Sequence, residues 1–480
     1  MRRLINFAVP VLALTFLSGC VTTREAGTAR ETKHPTPLDS YVAAPDDSFA
    51  YELANTVDGD GYTLFMLNVT SQTWPAPEEV DRPVWKHWVI IAKPDEVRSK
   101  TALLFIGGGR NRDEVPQGGE EEFIQMAKAS GGVVVMLGQI PNQPLIFKAD
   151  GTPRVEDEFI SYTWDKYLRT GDPMWLARLP MTKGAVRAMD AVQGFMATEA
   201  GGTTEVDSFV VAGGSKRGWT TWTTAAVDKR VVGIIPIVID LLNVVPSFQH
   251  HYKAYGFWAP AVGDYQAMGL MDWSGTPEYD AMLKIVEPFT YRDRYTMPKL
   301  VMNATGDQFF LPDSSQFYYD QLPNPKRLRY VPNGDHGLDE TDAAYSILSF
   351  YQAIIGGTSL PQYSWTFPGP DTTRVMSIDK PVEVKLWQAF NPNARDFRVE
   401  SIGKIWEATP LQDLGGSVFE AKVETPQQGY RAFMIELTYA GPTEAAPFKF
   451  TTPVRVVPDT YPHGLPEVPN PPKGFLSSGK

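Results

Sequence analysis

The chain contains 480 residues, of which 43% are hydrophobic and 21% are charged, and its formal net charge is −12. The apolar content excludes an intrinsically disordered chain, and the acidic balance argues against a general nucleic-acid-binding protein. Only one cysteine is present, which excludes an internal disulfide and a metal site built from several thiolates. The length predicts two or three domains with a core that needs no covalent staple.

The N-terminal segment, residues 1–19, has the pattern of a signal peptide, because two arginines precede a short apolar run. It ends in Leu-Ser-Gly-Cys, so that Cys20 falls where the lipobox of bacterial lipoproteins carries its lipid. The resemblance predicts cleavage, a lipid anchor on Cys20 and, since Val21 rather than aspartate follows, attachment to the outer membrane of the cell envelope. An ordinary signal peptide with an incidental cysteine is the alternative. Residues 20–45 are small and polar and are interpreted as a tether.

Residues 46–358 alternate short β-rich runs with helical patterns, which is typical of βαβ units and of an α/β fold with a mostly parallel sheet. Continuous apolar runs predict buried strands, and apolar residues at helical spacing predict helices. Strands are predicted at 62–69, 85–92, 101–106, 132–137, 209–212, 231–239, 299–304 and 328–331, and helices at 120–129, at 180–200, from the GGSKRG turn to 227, and at 341–355.

An insertion at about 241–297 interrupts this alternation and is rich in aromatic and methionine side chains. Most of these are expected to pack a helical core, and the insertion is interpreted as a cap over a cleft. From this cap, His250, His251, Tyr255 and Trp258 are expected to face substrate. The two histidines are adjacent in sequence and point apart on a helix, so a metal pair is not expected.

The character of the sequence changes at about residue 361. Short runs with partial alternation, one of them at 397–405, are separated by proline, glycine and asparagine. They predict a small β-sandwich of immunoglobulin or fibronectin type over 361–455. The remainder, 456–480, is rich in proline and glycine and is expected to wrap the surface or to be disordered.

The motif GGSKRG places Ser215 between a predicted strand and a predicted helix. A serine nucleophile needs such an exposed, sharply turned position, a base within reach and donors for the oxyanion. Lys216 follows at the start of the helix, where its backbone N–H can serve the oxyanion. The usual elbow is G-x-S-x-G. Gly213 fits that pattern, whereas Arg217 stands at the second glycine position and the glycine is displaced to Gly218.

Two further strand ends carry the partners that a serine nucleophile needs. Asp307 follows the strand at 299–304, and His336 lies in a glycine-flanked loop after the strand at 328–331. The order Ser, Asp, His matches that of α/β-hydrolase triads. Asp313 is the second candidate for the acid, and a turn aspartate or a surface histidine is the simpler interpretation of each residue taken alone.

Three glycines, Gly107, Gly108 and Gly109, follow the predicted strand at 101–106. Their amides are candidate oxyanion donors, as in the glycine-rich loops of esterases, and a plain glycine turn is the alternative. The sequence has no dinucleotide-binding G-x-G-x-x-G in a strand–helix context and no phosphate-binding loop. No cofactor and no metal are therefore expected.

Long stretches of the chain match a known family. They are GDGYTLFMLNVTSQTW, PVWKHWVI, ALLFIGGGRN, AGGSKRGWTTW, YGFWAPAVGDY and NATGDQFFLPD. Over roughly residues 36–460 the chain resembles the PhoPQ-activated pathogenicity-related proteins, a group within the α/β-hydrolase superfamily. The resemblance implies an exported, serine-hydrolase-like protein whose nucleophile, acid and base fall on Ser215, Asp307 and His336.

The leading hypothesis is a lipid-anchored serine hydrolase that acts on a small-molecule or polymeric ester. A peptidase with the same triad is the nearest alternative, since one triad serves esters and amides alike. A carbohydrate esterase is a narrower form of the first hypothesis. A protein that keeps the hydrolase scaffold without catalysis and binds partners at the cell envelope belongs to a different class.

Overall fold

The structure is a computed structural model that describes residues 35–477. A large central sheet forms its core. The strands before residue 340 are β1 (Ala50–Gly59), β2 (Tyr62–Thr73), β3 (Val84–Pro94), β4 (Thr101–Ile106), β5 (Val134–Leu137), β6 (Leu145–Ile146), β7 (Pro153–Arg154), β8 (Ser208–Gly214), β9 (Val231–Ile237), β10 (Lys299–Ala304) and β11 (Lys326–Val331). Nine of them form one sheet in the order β1-β2-β3-β5-β4-β8-β9-β10-β11, and β6 pairs with β7 in a small hairpin.

Helices cover both faces of this sheet. They are α1 (Pro37–Ala43), α2 (Glu121–Ser130), α3 (Glu156–Thr170), α4 (Arg178–Met196), α5 (Lys216–Val227), α6 (Val244–Tyr255), α7 (Gly263–Ala267), α8 (Pro277–Val286), α9 (Ala343–Gly356) and α10 (Val399–Ile402). Alternate residues of a strand point to opposite faces, so Phe209 and Val211 of β8 join one hydrophobic core, whereas Val210 and Ala212 join the other. Helices α4 and α5 contribute to the first core, and α2 and α9 to the second.

The pairings from β5 through β4, β8, β9 and β10 to β11 are all parallel, whereas β1, β2 and β3 join the sheet antiparallel. The predicted α/β-hydrolase fold with its mostly parallel sheet is confirmed. Because parallel strands share one carboxyl edge, the loops after β4, β8, β9, β10 and β11 gather on one side of the molecule. The candidate site residues lie on these loops.

The insertion predicted at 241–297 is helical. It contains α6, α7, α8 and short 3-10 turns, all between β9 and β10. A second helical segment, α3 with α4, lies between β5 and β8, and α3 packs against α7 and α8 of the cap. Helix α4 was predicted from the sequence, whereas α3 was not, because its buried aromatic residues lie among charged ones.

The C-terminal part contains two antiparallel sheets, as predicted. Its strands are β12 (Tyr363–Gly369), β13 (Thr372–Ser377), β14 (Glu383–Asn391), β15 (Glu407–Pro410), β16 (Val418–Lys422), β17 (Tyr430–Thr443), β18 (Ala446–Thr451) and β19 (Arg455–Val457). One sheet has the order β12-β13-β16, and the other has the order β15-β14-β17-β18 with β19 on β17. They share one hydrophobic core with helix α9, so these sheets are packed on the α/β part of the chain, residues 46–358.

The strand predicted at 397–405 is wrong, because this segment contains the short helix α10. The first amide of this helix binds the loop after β10 rather than a neighbouring strand. The N–H of Val399 donates to the carbonyl of Gly306 at 2.9 Å. The C-terminal part therefore supports the loop that carries Asp307.

The tether predicted for residues 20–45 is wrong at its described end. Thr36 caps α1 through a reciprocal pair of hydrogen bonds with Asp39, which fixes the helix start. Leu38 is buried, and Asp39 pairs with Arg294 at 2.7 Å. Residues 36–44 therefore belong to the folded body. The predicted signal peptide and Cys20 lie outside the described residues, and none of the helices within 35–477 has the length and apolar character needed to cross a bilayer.

The segment 458–477 wraps the cap as a strap. The hydroxyl of Tyr461 lies 2.8 Å from His250 Nδ1 on α6, and the N–H of His463 donates to the Lys253 carbonyl. Further along, the N–H of Leu476 donates to Glu278 on α8. The part of the predicted tail at 456–457 belongs to strand β19.

Candidate active site

Ser215 stands at a sharp turn between β8 and α5. Its backbone has φ 56° and ψ −125°, a region that costs a residue with a side chain about 1–3 kcal/mol and persists only where the surroundings enforce it. The N–H of Ser215 donates to the carbonyl of Ile237 on β9 at 2.8 Å, and its own carbonyl accepts from Trp219 in α5. The strained backbone is thus held by a strand on one side and a helix on the other.

The displaced glycine of this elbow has a packing reason. A Cβ on Gly213 would lie 2.8 Å from the Arg217 carbonyl oxygen, and a Cβ on Gly218 would lie 2.9 Å from that of Gly213. Close approach of α5 to β8 therefore requires both glycines. The Arg217 side chain leaves this contact and binds both carboxylate oxygens of Glu156, at 2.8 and 2.7 Å. Its guanidinium covers Gly108, where a Cβ would lie 2.6 Å from Nη2.

Gly213→Ala is expected to destabilise the protein by about 1–3 kcal/mol, because the added methyl group meets backbone rather than a movable side chain. Gly214→Ala is the matched control, since its Cβ would find only Val238 at 3.9 Å. Urea unfolding of both variants checks this. Equal loss in the two variants would contradict the packing explanation.

Asp307 and His336 form a hydrogen-bonded pair at the neighbouring strand ends. Both Asp307 carboxylate oxygens lie 2.9 Å from His336 Nδ1, and Asp307 Oδ1 also accepts from the N–H of Phe309 at 2.7 Å. A carboxylate on Nδ1 leaves Nε2 as the free acceptor of the ring. The Phe309 ring lies on the imidazole, with centroids 4.2 Å apart. The pair is therefore fixed from two sides.

Asp313, the second candidate for the acid, is engaged elsewhere. Its carboxylate takes His250 Nε2 at 2.8 Å and Arg395 Nη2 at 2.6 Å. Burial acts to raise its pKa, but the Arg395 and His250 charges outweigh burial and hold the pKa well below the usual range. This ion pair joins the cap to the C-terminal part, so Asp307 is the carboxylate that faces His336.

The predicted oxyanion donors lie beside the elbow, since Ile106 of β4 pairs with Gly213 of β8. Lys216 is the first residue of α5, where helix N–H groups have no partner within the helix. Gly107 donates its N–H to the Leu137 carbonyl at 2.7 Å and is therefore not available to an oxyanion. From the predicted glycine loop, Gly108 and Gly109 are left as candidate donors.

A cavity opens at Ser215. Its walls are mainly aromatic and aliphatic, with a few polar groups close to the serine. Phe309 forms part of the wall and packs on the His336 imidazole, which lies behind it and is not itself a lining residue. The lining residues are Asp157, Trp164, Arg178, Ser215, Lys216, Trp219, Ile239, Leu241, Phe248, Val262, Tyr265, Leu270, Met271, Tyr279, Phe309 and Phe310.

The four cap residues predicted to face substrate do not line the Ser215 cavity. His250 is taken up by Asp313 and Tyr461, and His251 accepts the N–H of Ala259 at 3.0 Å. Burial of His251 lowers its pKa to about 3. Tyr255 is buried beneath Arg398, and Trp258 lines a neighbouring cavity. Other cap residues line the Ser215 cavity, among them Phe248, Tyr265 and Tyr279.

Sequence reasoning missed three polar residues of the cavity, Asp157, Arg178 and Tyr265. Arg178 carried a usable signal, because it is a charge inside the otherwise apolar run Trp-Leu-Ala-Arg-Leu-Pro-Met. Asp157 begins a helix that was not predicted, and nothing in its local sequence marks it. No cluster of His, Cys, Asp and Glu suited to hold a metal occurs within residues 35–477.

Asp240 is a buried carboxyl behind the site, on the loop after β9. It accepts the hydroxyls of Tyr318 at 2.7 Å and Tyr330 at 2.6 Å. Burial raises its pKa to about 8, with further contributions from the charges of Asp307 and Asp313. The folded protein thus keeps this proton at neutral pH.

Asp240→Asn is expected to remove part of the pH dependence of stability. The unfolded chain releases the Asp240 proton near pH 3.8 and the folded protein near 8, so the wild-type free energy of unfolding falls as pH rises between these values. Asparagine has no proton to lose. The stability advantage of wild type over Asp240→Asn, measured as the difference in free energy of unfolding, should therefore shrink over this range by more than about 1 kcal/mol. Denaturant unfolding across the range measures it. A constant difference would show that Asp240 is ionised in the folded protein.

The chain matches one family model, one curated relative and several solved structures. The family model "PhoPQ-activated pathogenicity-related protein" matches residues 38–398. The chain is 40% identical over 457 residues to "Autocrine proliferation repressor protein A" of Dictyostelium discoideum, which covers 89% of this chain and 92% of that protein. Among solved structures, acetyl xylan esterases from Paenibacillus sp. R4 and from Thermoanaerobacterium sp. JW/SL YS485 are similar at 14% identity, with TM-scores of 0.47 and 0.45. These two matches cover 69% and 66% of this chain, and 98% and 93% of the respective structures. The chain belongs to the PhoPQ-activated pathogenicity-related protein family.

Proposed function

We propose that the protein is a serine hydrolase that cleaves carboxylic esters. The observation that carries the proposal is the strained Ser215 at a cavity whose wall residue Phe309 packs on His336, the partner of Asp307. A serine held at φ 56° has a conformational cost that plain packing does not require. Three chemical roles fall on three strand ends of one sheet edge in the order that this fold uses.

The reaction follows from the roles of these side chains. Ser215 Oγ attacks the ester carbonyl carbon while His336 Nε2 takes the hydroxyl proton. When the tetrahedral intermediate collapses, the bond to the alcohol oxygen breaks and the alcohol leaves with the proton from His336. Water then attacks the acyl-serine by the same route, which releases the carboxylic acid and restores Ser215. Asp307 holds the imidazole and stabilises its charged form.

Charge that develops on the carbonyl oxygen needs preorganised donors. We assign this role to the amide of Lys216 together with that of Gly108 or Gly109, because donors of this fold follow the nucleophile and the third strand. The cavity walls come from helices and loops rather than from an open strand edge. This lining suits a compact ester better than an extended peptide, which usually pairs with backbone groups.

We also propose that the protein is located in the cell envelope. Cleavage before Cys20 and lipidation of its thiol would anchor the protein in the cell envelope. The signal-peptide pattern and the lipobox-like Leu-Ser-Gly-Cys support this part. Metabolic labelling with an alkyne fatty acid tests it, with Cys20→Ser as the control that should lose the label.

Labelling with a fluorophosphonate probe tests the mechanism directly. Wild type should be labelled, and Ser215→Ala should not be. Turnover of esters but not of matched amides would then separate an esterase from a peptidase. Absence of labelling in a folded wild type would favour a scaffold without catalysis.

A further inference from the structure

Arg178 is a buried cation without a carboxylate partner in the wall of the Ser215 cavity. It is the first residue of α4 and is 3% exposed. Nη1 donates to the Lys216 carbonyl at 2.9 Å, and the guanidinium lies 4.5 Å from the centre of the Trp219 ring. Nε is buried and has no hydrogen-bond partner.

The nearby carboxylates are already engaged. Glu156 takes both Arg217 nitrogens and also Lys216 Nζ at 2.9 Å. Asp157 takes Lys216 Nζ at 3.0 Å and the hydroxyl of Tyr265. Three cations thus meet two carboxylates in this cluster, and no carboxylate among residues 35–477 lies within ion-pair distance of Arg178. Asp264, also near the cluster, is exposed on the cap.

The backbone adds positive potential to the same wall. Helices α4 and α5 both begin there, and neither has a side-chain cap on its first amides. Of the acids at the first turn of α3, Glu156 and Asp157 are paired with Lys216 and Arg217, and Glu158 lies 3.9 Å from Arg154. Asp157 and Tyr265 favour the charged form of Arg178, but neither makes an ion pair with it, and a buried cation without a directly paired carboxylate is costly. An anionic group of a ligand would supply the missing charge.

Building on the proposed function, we infer that the ester substrate carries a carboxylate that Arg178 binds. Nη1 is used by Lys216 and the Tyr265 hydroxyl also interacts with the guanidinium, whereas Nε has no partner. A ligand carboxylate that accepts from Nε can share the Nη2 side of the guanidinium with that hydroxyl. Since Ser215 and Arg178 line one cavity, the ester carbonyl and the carboxylate belong to one compact molecule. The aromatic walls take up the apolar part between them.

A matched pair of esters tests this inference. Mono-4-nitrophenyl adipate and 4-nitrophenyl hexanoate differ only in a carboxylate or a methyl group at the end of the acyl chain. Wild type should favour the adipate by about tenfold or more in kcat/KM, as a charge-assisted pair in a shielded site supplies. Arg178→Gln should reverse that preference, whereas Arg178→Lys should keep part of it. Arg187→Gln, on the same helix but paired with Asp190, should keep the wild-type ratio.

The ratio of kcat/KM for the two esters shows whether Arg178 binds the carboxylate or only supports the backbone of Lys216. If Arg178 only holds the Lys216 backbone, Arg178→Gln will slow both esters equally, which would overturn the inference. A wild type without preference for the adipate would do the same. If neither ester is hydrolysed and Ser215 is not labelled by fluorophosphonate, the proposed function fails. Calorimetric binding of adipate against hexanoate, in wild type and Arg178→Gln, then decides the inference, and equal binding of the two acids overturns it.

Discussion

Ser215→Ala is expected to lower kcat for a hydrolysed ester by about 10⁵- to 10⁶-fold, with a much smaller change in KM. The variant loses the only atom that forms the acyl intermediate, whereas the cavity walls that bind substrate are unchanged. Residual turnover above that of water would come from the oxyanion donors and from binding. Steady-state kinetics on a chromogenic ester provide the measurement.

Fold integrity must be shown alongside this loss. Alanine relieves no clash at Ser215 and keeps a side chain at φ 56°, so the thermal midpoint should change little. Gly214→Ala, which alters the adjacent residue without touching the hydroxyl, serves as the kinetic control. Turnover within about tenfold of wild type in Ser215→Ala would remove the serine from the mechanism.

Asp307→Asn is expected to lower kcat by about 10⁴-fold. The asparagine amide can donate to His336 Nδ1, which forces the ring into the tautomer whose Nε2 carries the hydrogen. In that form His336 cannot take the Ser215 proton. The hydrogen bond from the Phe309 N–H to Oδ1 can be retained, so the loop should keep its shape. Ester kinetics as a function of pH give the result.

Asp313→Asn is the matched control for this second variant. It breaks the ion pair with Arg395 and weakens the contact with His250, both buried, so it should lower the thermal midpoint. Because Asp313 does not contact His336, its kcat should stay within about tenfold of wild type. The reverse pattern, with Asp313→Asn inactive and Asp307→Asn active, would exchange the two acids.

Much of the α/β part, residues 46–358, could be predicted from local sequence. Strands β4 and β10 are continuous apolar runs bounded by polar residues, and both have the predicted ends. Their burial on two faces produces that pattern. The candidate triad was recognisable because each member directly follows such a strand, which places all three on one edge without knowledge of side-chain contacts.

The missed features depend on distant partners. Residues 36–44 are as polar as a tether, and only the contact of Asp39 with Arg294 shows why they fold. The histidines of the cap looked like substrate contacts, yet His250 is occupied by Asp313 from another loop. The helix α10 replaces a predicted strand because its partner, Gly306, is almost a hundred residues away. Tertiary contacts of this kind leave no local periodicity.

The strap has a consequence for how the cap can move. A cap inserted between two strands usually swings about its two connections, and many such enzymes are limited by that opening. Here the strap is bonded to α6 near one end and to α8 near the other. Opening therefore requires the strap to detach from both helices, so cap and strap should exchange their amide hydrogens as one unit.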